Sequence, residues 1–86
     1  MKTFKLVISS PDGDIFLDNV LKISLRGIEG ELAVMAGHIP FVTSVKPCDC
    51  RIELSAEEIK TGHTDGGILT VGKDSVTLIS GTFEWK

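Results

Sequence analysis

Nowhere does this chain hold a helical period, and that limits its fold more than any other feature. Apolar residues recur at every second position, in short runs closed by glycine, proline or aspartate. Phe4, Leu6 and Ile8 alternate with Lys5, Val7 and Ser9, which predicts a strand with one face toward a core. Pro11-Asp12-Gly13-Asp14 then supplies turn chemistry: proline presets φ, aspartate bonds its own backbone and glycine accepts φ > 0. A hairpin into Ile15-Phe16-Leu17 follows. Val20, Ile23 and Leu25 predict a third strand, with Leu21 breaking the alternation as a bulge. Cys48, Cys50, Ile52 and Leu54 share one parity, opposite Asp49, Arg51 and Glu53, and read as a half-buried strand opened by Pro47. Ile68, Leu69 and Val71 form a late strand after Gly66-Gly67. Gly72-Lys73-Asp74 is a tight turn, and Val76, Leu78 and Ile79 form the next strand.

The only helix-like start, Ser55-Ala56-Glu57-Glu58, is stopped by Thr61 and Gly62 and reads as a turn. Thr61-Gly62-His63-Thr64-Asp65 is polar throughout and reads as an exposed edge or a loop. Roughly eight or nine short strands with turns between them predict an all-β sandwich or barrel. At 86 residues, one domain over 1–86 is expected. An antiparallel sandwich would leave the Lys, Glu and Thr faces in water.

A net charge of −3 argues against nucleic acid, which calls for a basic face, and against a polybasic membrane anchor. No apolar run approaches the roughly 20 residues of a membrane-spanning helix, so no direct membrane insertion is expected. The N-terminus lacks a signal-peptide core, which reads as cytoplasmic. Cys48 and Cys50 lie two residues apart. An extended strand sets their Cα atoms about 6.6 Å apart, near the upper limit for a disulfide, so reduced thiols are expected.

One segment departs from the alternation. Glu29 to Phe41 packs glycines, a proline, a histidine and two carboxylates around Leu32, Val34, Met35 and Ile39. A buried strand would not tolerate so many breakers, and a plain solvent loop would not need the apolar residues. A shaped loop held against something else needs both. His38 within it reads equally as a polar contact to a partner and as a ring fixing the loop through a backbone carbonyl. A catalytic role would need a nucleophile or an orienting carboxylate within reach, and only Glu29 and Glu31 are near in sequence. Those two glutamates read as a solvated or partner-facing pair, since acid–base pairs need a pocket and distinct environments. Cys48-Asp49-Cys50 has the wrong spacing for a structural zinc site, and two small residues packed inside a strand is the plainer reading. Gly66-Gly67 lacks the Gly-Lys-Ser/Thr and helix of a phosphate loop and reads as a bulge or a close approach of two backbones. No catalytic, metal or cofactor site is expected.

The segment from Glu29 to Phe41 resembles the signature loop in the β-sandwich domain of the epsilon subunit of F-type ATP synthases. That family usually reads Glu-Gly-Glu-Leu-Gly-hydrophobic-x-Pro-Gly-His-Ala-Pro-Leu, and this chain departs at Ala33, Ala36 and Ile39. The resemblance extends through Phe4 to Gly13, Val45-Lys46-Pro47, Gly66 to Val71 and Val76 to Ile79, nearly the whole chain in matching order. It implies a flattened antiparallel sandwich of about ten short strands. It also implies a non-catalytic rotor subunit that binds the gamma subunit, rests on the polar loops of the membrane c-ring, and couples proton- or sodium-driven rotation to ATP synthesis. The expected location is the cytoplasmic face of the plasma membrane, peripheral, within the F1 complex. Glu31 is the leading expected c-ring contact, with Gly30, Glu29 and His38 beside it.

The family usually adds a C-terminal helical hairpin beginning where Lys86 stands. The Met1 start favours a naturally short subunit, and the 86 residues are expected neither to brake through helices nor to bind nucleotide. Phe83 and Trp85 are expected to cover the base of the domain or to contact gamma. Two other readings remain open on the residues alone. One is a small metal-dependent β-barrel enzyme using His38, His63 and the cysteines. The other is a β-sandwich adaptor that binds peptides along an edge strand.

Overall fold

The period-two runs become strands almost one for one. A computed structural model describes residues 2–86 and contains ten strands: β1 (Phe4–Ser10), β2 (Gly13–Val20), β3 (Lys22–Gly27), β4 (Gly30–Met35), β5 (Phe41–Val45), β6 (Cys48–Glu53), β7 (Ile59–Thr64), β8 (Gly67–Val71), β9 (Ser75–Ser80) and β10 (Phe83–Trp85). Hydrogen bonding runs in the order β10-β7-β6-β3-β5-β8-β9-β1-β2, with β4 on the other side of β3. β3 and β5 meet only at Gly27–Val45, so the path folds there into two five-stranded layers. One is β10-β7-β6-β3-β4 and the other β5-β8-β9-β1-β2, a flattened sandwich close to a barrel.

The alternating positions face inward as the sequence predicts. Phe4, Leu6 and Ile8 from β1 meet Leu69 and Val71 from β8, Val76 and Leu78 from β9, and Ile23, Leu25, Val34, Cys50 and Ile52 from the other layer. Each fully buried branched side chain contributes about 1.5–3 kcal/mol, so this one cluster carries the fold. Cys48 and Cys50 are both free thiols, and burial pushes the Cys50 thiol up to about 12. Gly66 has φ +110°, and a Cβ on Gly67 would lie 1.9 Å from the Ile79 carbonyl oxygen. That pair is a close approach of two backbones, as expected.

Four expectations change. The sandwich is not wholly antiparallel, because β1 and β9 pair in parallel, Lys5–Ser75 through Ser9–Ile79. Strands so far apart in sequence need no tight turn between them, so nothing forces them antiparallel. Val20 ends β2 rather than opening β3. Leu21 is the corner between them, not a bulge, and its N–H donates to the Glu53 carbonyl at 2.7 Å. The segment from Glu29 to Phe41 is not one loop, since β4 occupies Gly30–Met35 and pairs with β3 in full register. Finally, the polar 61–65 stretch is mostly strand. β7 pairs with β6 on one side and β10 on the other.

Candidate partner-binding surface

The two layers turn very different faces to solvent. On the outside of β5-β8-β9-β1-β2, one register row reads Val42, Thr70, Thr77, Val7 and Leu17. The next reads Ser44, Ile68, Ile79 and Ser9, with Asp14 bonded to Ser9 at its margin. Val42 is 68% exposed, Leu17 57%, Ile79 53% and Ile68 48%. Asp14 is the one charged residue in these two rows. A contiguous apolar surface of this kind marks an interaction site on a soluble domain. The Lys5 and Thr70 side chains of this layer lie in water as expected, but exposed apolar residues stand beside them. The signal was in the sequence: Ile68-Leu69 and Leu78-Ile79 are consecutive apolar pairs, which strands show when both faces are covered.

The outside of the other layer is charged and internally matched. Arg26 pairs with Glu31 at 3.2 Å and Lys22 with Glu53 at 3.9 Å. Asp49 receives Lys86 at 2.8 Å and His63 Nδ1 at 2.9 Å. The Lys86 hydrogen bond, and after it that of His63, holds the Asp49 carboxyl below its ordinary range. The Cys48 thiol fills the place where β3 leaves β6: Arg26 N–H donates to its sulfur at 3.3 Å. A side chain there substitutes for a ladder bond.

The four residues singled out by sequence are not gathered in one place. Glu29 lies in the two-residue turn between β3 and β4, and Gly30, which takes φ +127°, and Glu31 open β4. Glu31 is the most exposed partner of any ion pair, its side chain 81% accessible. His38 lies beyond the far end of β4, some 15 Å along the strand at about 3.3 Å per residue. Its Nδ1 faces the Met35 carbonyl and its Nε2 the Gly72 carbonyl at 2.8 Å, and Phe4 meets the ring edge-on at 5.6 Å. The ring therefore ties the 36–40 loop to the β8–β9 turn, as the carbonyl-fixing alternative expects. Nor do His38, His63, Cys48 and Cys50 converge. Cys50 points into the core, His63 lies outside on β7, and no cluster of three or more candidate metal ligands occurs among the described residues. Phe83 and Trp85 stack edge-to-face at 5.0 Å, and Trp85 meets Phe16 of β2 at 5.6 Å. They close the seam between the two layers.

Residues 3–86 match the family of the ATP synthase Delta/Epsilon chain beta-sandwich domain. The chain belongs to that family. It is 36% identical over 84 residues to the "ATP synthase epsilon chain, sodium ion specific" of Acetobacterium woodii, covering 98% of this chain and 63% of that one. It is 37% identical over 90 residues to the ATP synthase epsilon chain of Bacillus thuringiensis, covering 98% and 62%. The chain thus spans less than two thirds of the length of these relatives. The fold superposes on a chain in the Euglena gracilis mitochondrial ATP synthase (OSCP/F1/c-ring) with a TM-score of 0.90 at 24% identity, covering 96% of this chain and 53% of that one. A central stalk/c-ring structure of the Tetrahymena thermophila enzyme gives 0.80 at 12%, covering 95% and 66%.

Proposed function

We propose that this domain is a central-stalk element of an F-type ATP synthase, linking the gamma subunit to the c-ring and passing ion-driven rotation on by contact. The observation that carries this reading is the set of exposed apolar side chains, Val42, Ile68, Ile79 and Leu17, on the outer face of β5-β8-β9-β1-β2, where Lys5 and Asp14 are the charged residues. An exposed apolar layer facing a matched, charged one is what a domain needs to be clamped from one side. Gamma occupies the apolar face through Val42, Ile68, Ile79 and Leu17. The turn at Glu29-Gly30-Glu31 projects from the β3–β4 hairpin and meets the polar c-ring loops, with Glu31 as the principal contact. The assembly lies at the cytoplasmic face of the membrane, and the driving ion is a proton or sodium.

Reconstitution with the gamma subunit tests the reading. The wild-type chain is expected to co-elute with gamma. Ile68→Glu is expected to abolish co-elution while the domain still melts cooperatively, because the residue lies outside the core. Undiminished binding by a folded Ile68→Glu variant would place gamma on another surface. In assembled enzyme, Glu31→Lys is expected to weaken coupling of ion flow to synthesis with gamma binding intact. Full coupling would remove Glu31 from the c-ring contact.

A further inference from the structure

His38 stands between two acceptors. Its Nδ1 faces the Met35 carbonyl and its Nε2 the Gly72 carbonyl at 2.8 Å. Both partners are backbone oxygens, which accept and never donate. A neutral imidazole carries one N–H, so it satisfies one of these carbonyls and turns a lone pair toward the other. Only the doubly protonated ring donates to both. These two contacts are the only hydrogen bonds of residues 36–40 among the described residues. The loop is otherwise held by Ala36, packed on the core, and by Phe4, edge-on against the ring. Ile39 beside the ring is 82% exposed, and Phe41 and Val42 follow to open β5. The charged groups around this end are Lys2, Lys5 of β1, and Lys73 and Asp74 of the β8–β9 turn. β2 brings the neutral Asn19, and residues 32–41 hold no other ionisable side chain. The Asp74 carboxylate attracts a charged ring, and the three ammonium groups repel it.

We infer that His38 is a proton-operated latch on the 36–40 loop. With both nitrogens protonated, the ring bridges Met35 and Gly72 and pins the loop to the β8–β9 turn. Loss of one proton to water removes one N–H···O bond. It also sets a nitrogen lone pair against a carbonyl oxygen at bonding distance, and that end opens. The ring is half-buried, so its proton exchanges with solvent. Imidazole is the side chain whose ordinary charge change falls between about pH 5 and 8, so the latch responds to the changes a cell undergoes. Latched, the loop fixes where Ile39 projects and how the chain enters β5. Unlatched, Ile39 and the start of β5 gain freedom. The inference stands on the two ring contacts and is independent of where gamma docks.

NMR of the ring nitrogens and the loop amides, on the full chain, tests this. The His38 ring is expected to show two N–H groups at about pH 5.5 and one at about pH 8. Over the same interval the order parameters of the Gly37 and Ile39 amides are expected to fall from about 0.85 to below about 0.6. The Gly72 and Lys73 amide shifts are expected to follow the ring. His38→Gln cannot take up a proton and is expected to leave the loop loose at both pH values. His63→Gln removes the other histidine and is expected to keep the transition. A His38 ring with a single N–H at about pH 5.5 in the folded chain would overturn the latch, as would a loop equally ordered at both pH values. Loop loosening that still follows pH in His38→Gln would put the sensor among the other charged groups and overturn it too.

Discussion

Gly67 is the tightest single position in the molecule. A methyl group there would fall 1.9 Å from a backbone oxygen, and neither strand has a flexible end that could yield. Gly67→Ala is therefore expected to cost about 3 kcal/mol or more, at the upper end of overpacking penalties. For a domain this small that lowers the melting temperature by 10 °C or more, at roughly 4–8 °C per kcal/mol. A melt within a few degrees of wild type would show that β8 can slide. Ile52→Asp is expected not to fold at all, since the residue is fully buried and an unpaired charge there has no partner. A cooperative melt would mean that β6 exposes the face assigned to the core. The exposed Glu31→Lys change should shift stability by less than about 0.5 kcal/mol. Sequence disclosed Gly66-Gly67 because the doublet is locally anomalous. It did not disclose why Gly62 is a glycine. A Cβ there would lie 2.4 Å from the Phe83 ring, and that contact exists only once β10 has docked on β7.

At the level of whole elements, β7 shows where alternation loses its information. Its inward positions are Gly62 and Thr64, one without a side chain and one polar, so the period-two pattern holds no apolar residue to reveal it. Thr64 is buried because its hydroxyl meets that of Ser80 and bonds Gly66. β1, β6 and β9, by contrast, carry large apolar residues at alternate positions and were legible from sequence alone. The turn from β9 to β10 depends on Asp65, whose carboxylate accepts the Thr82 N–H at 3.0 Å and a longer bond from Ser80. The Thr82 bond, chiefly, holds the Asp65 carboxyl below its ordinary value of 3.8, and Asp49 is lowered in the same direction by Lys86 and His63. Both are more acidic folded than unfolded, so the unfolded chain binds more protons near that value. Their contribution is complete above the unfolded pKa and disappears as pH falls through the lower, folded one. Stability is therefore expected to decline below about pH 4, with Asp65→Asn flattening that decline in an acid titration followed by circular dichroism. An unchanged acid limb in Asp65→Asn would mean that other carboxylates dominate it.

Taken whole, the molecule has 86 residues and a single core, which places it among domains of modest intrinsic stability. One of its layers sets exposed apolar side chains among the polar ones on its outer face, a feature that lowers solubility in isolation. The sequence resemblance and the fold agree on the family to which the chain belongs. The location of the contact was less legible, because outward apolar residues look like core residues until the register assigns them a side. Val42, Ile68, Ile79 and Leu17 are separated in sequence by up to 62 positions, 79 minus 17, and become one surface only through the β5-β8-β9-β1-β2 order. A partner that binds only the folded domain raises its stability by mass action, by about 2.7 kcal/mol when present at one hundred times its dissociation constant. At roughly 4–8 °C per kcal/mol, the melting temperature should then climb by about 10–20 °C as purified gamma is titrated in. The climb should be absent in Ile68→Glu and kept in Glu31→Lys, because Ile68 stands on the outer face of β8 and Glu31 on the other layer. A rise of equal size in Ile68→Glu would show that the apolar layer is not where the stalk takes hold of this domain.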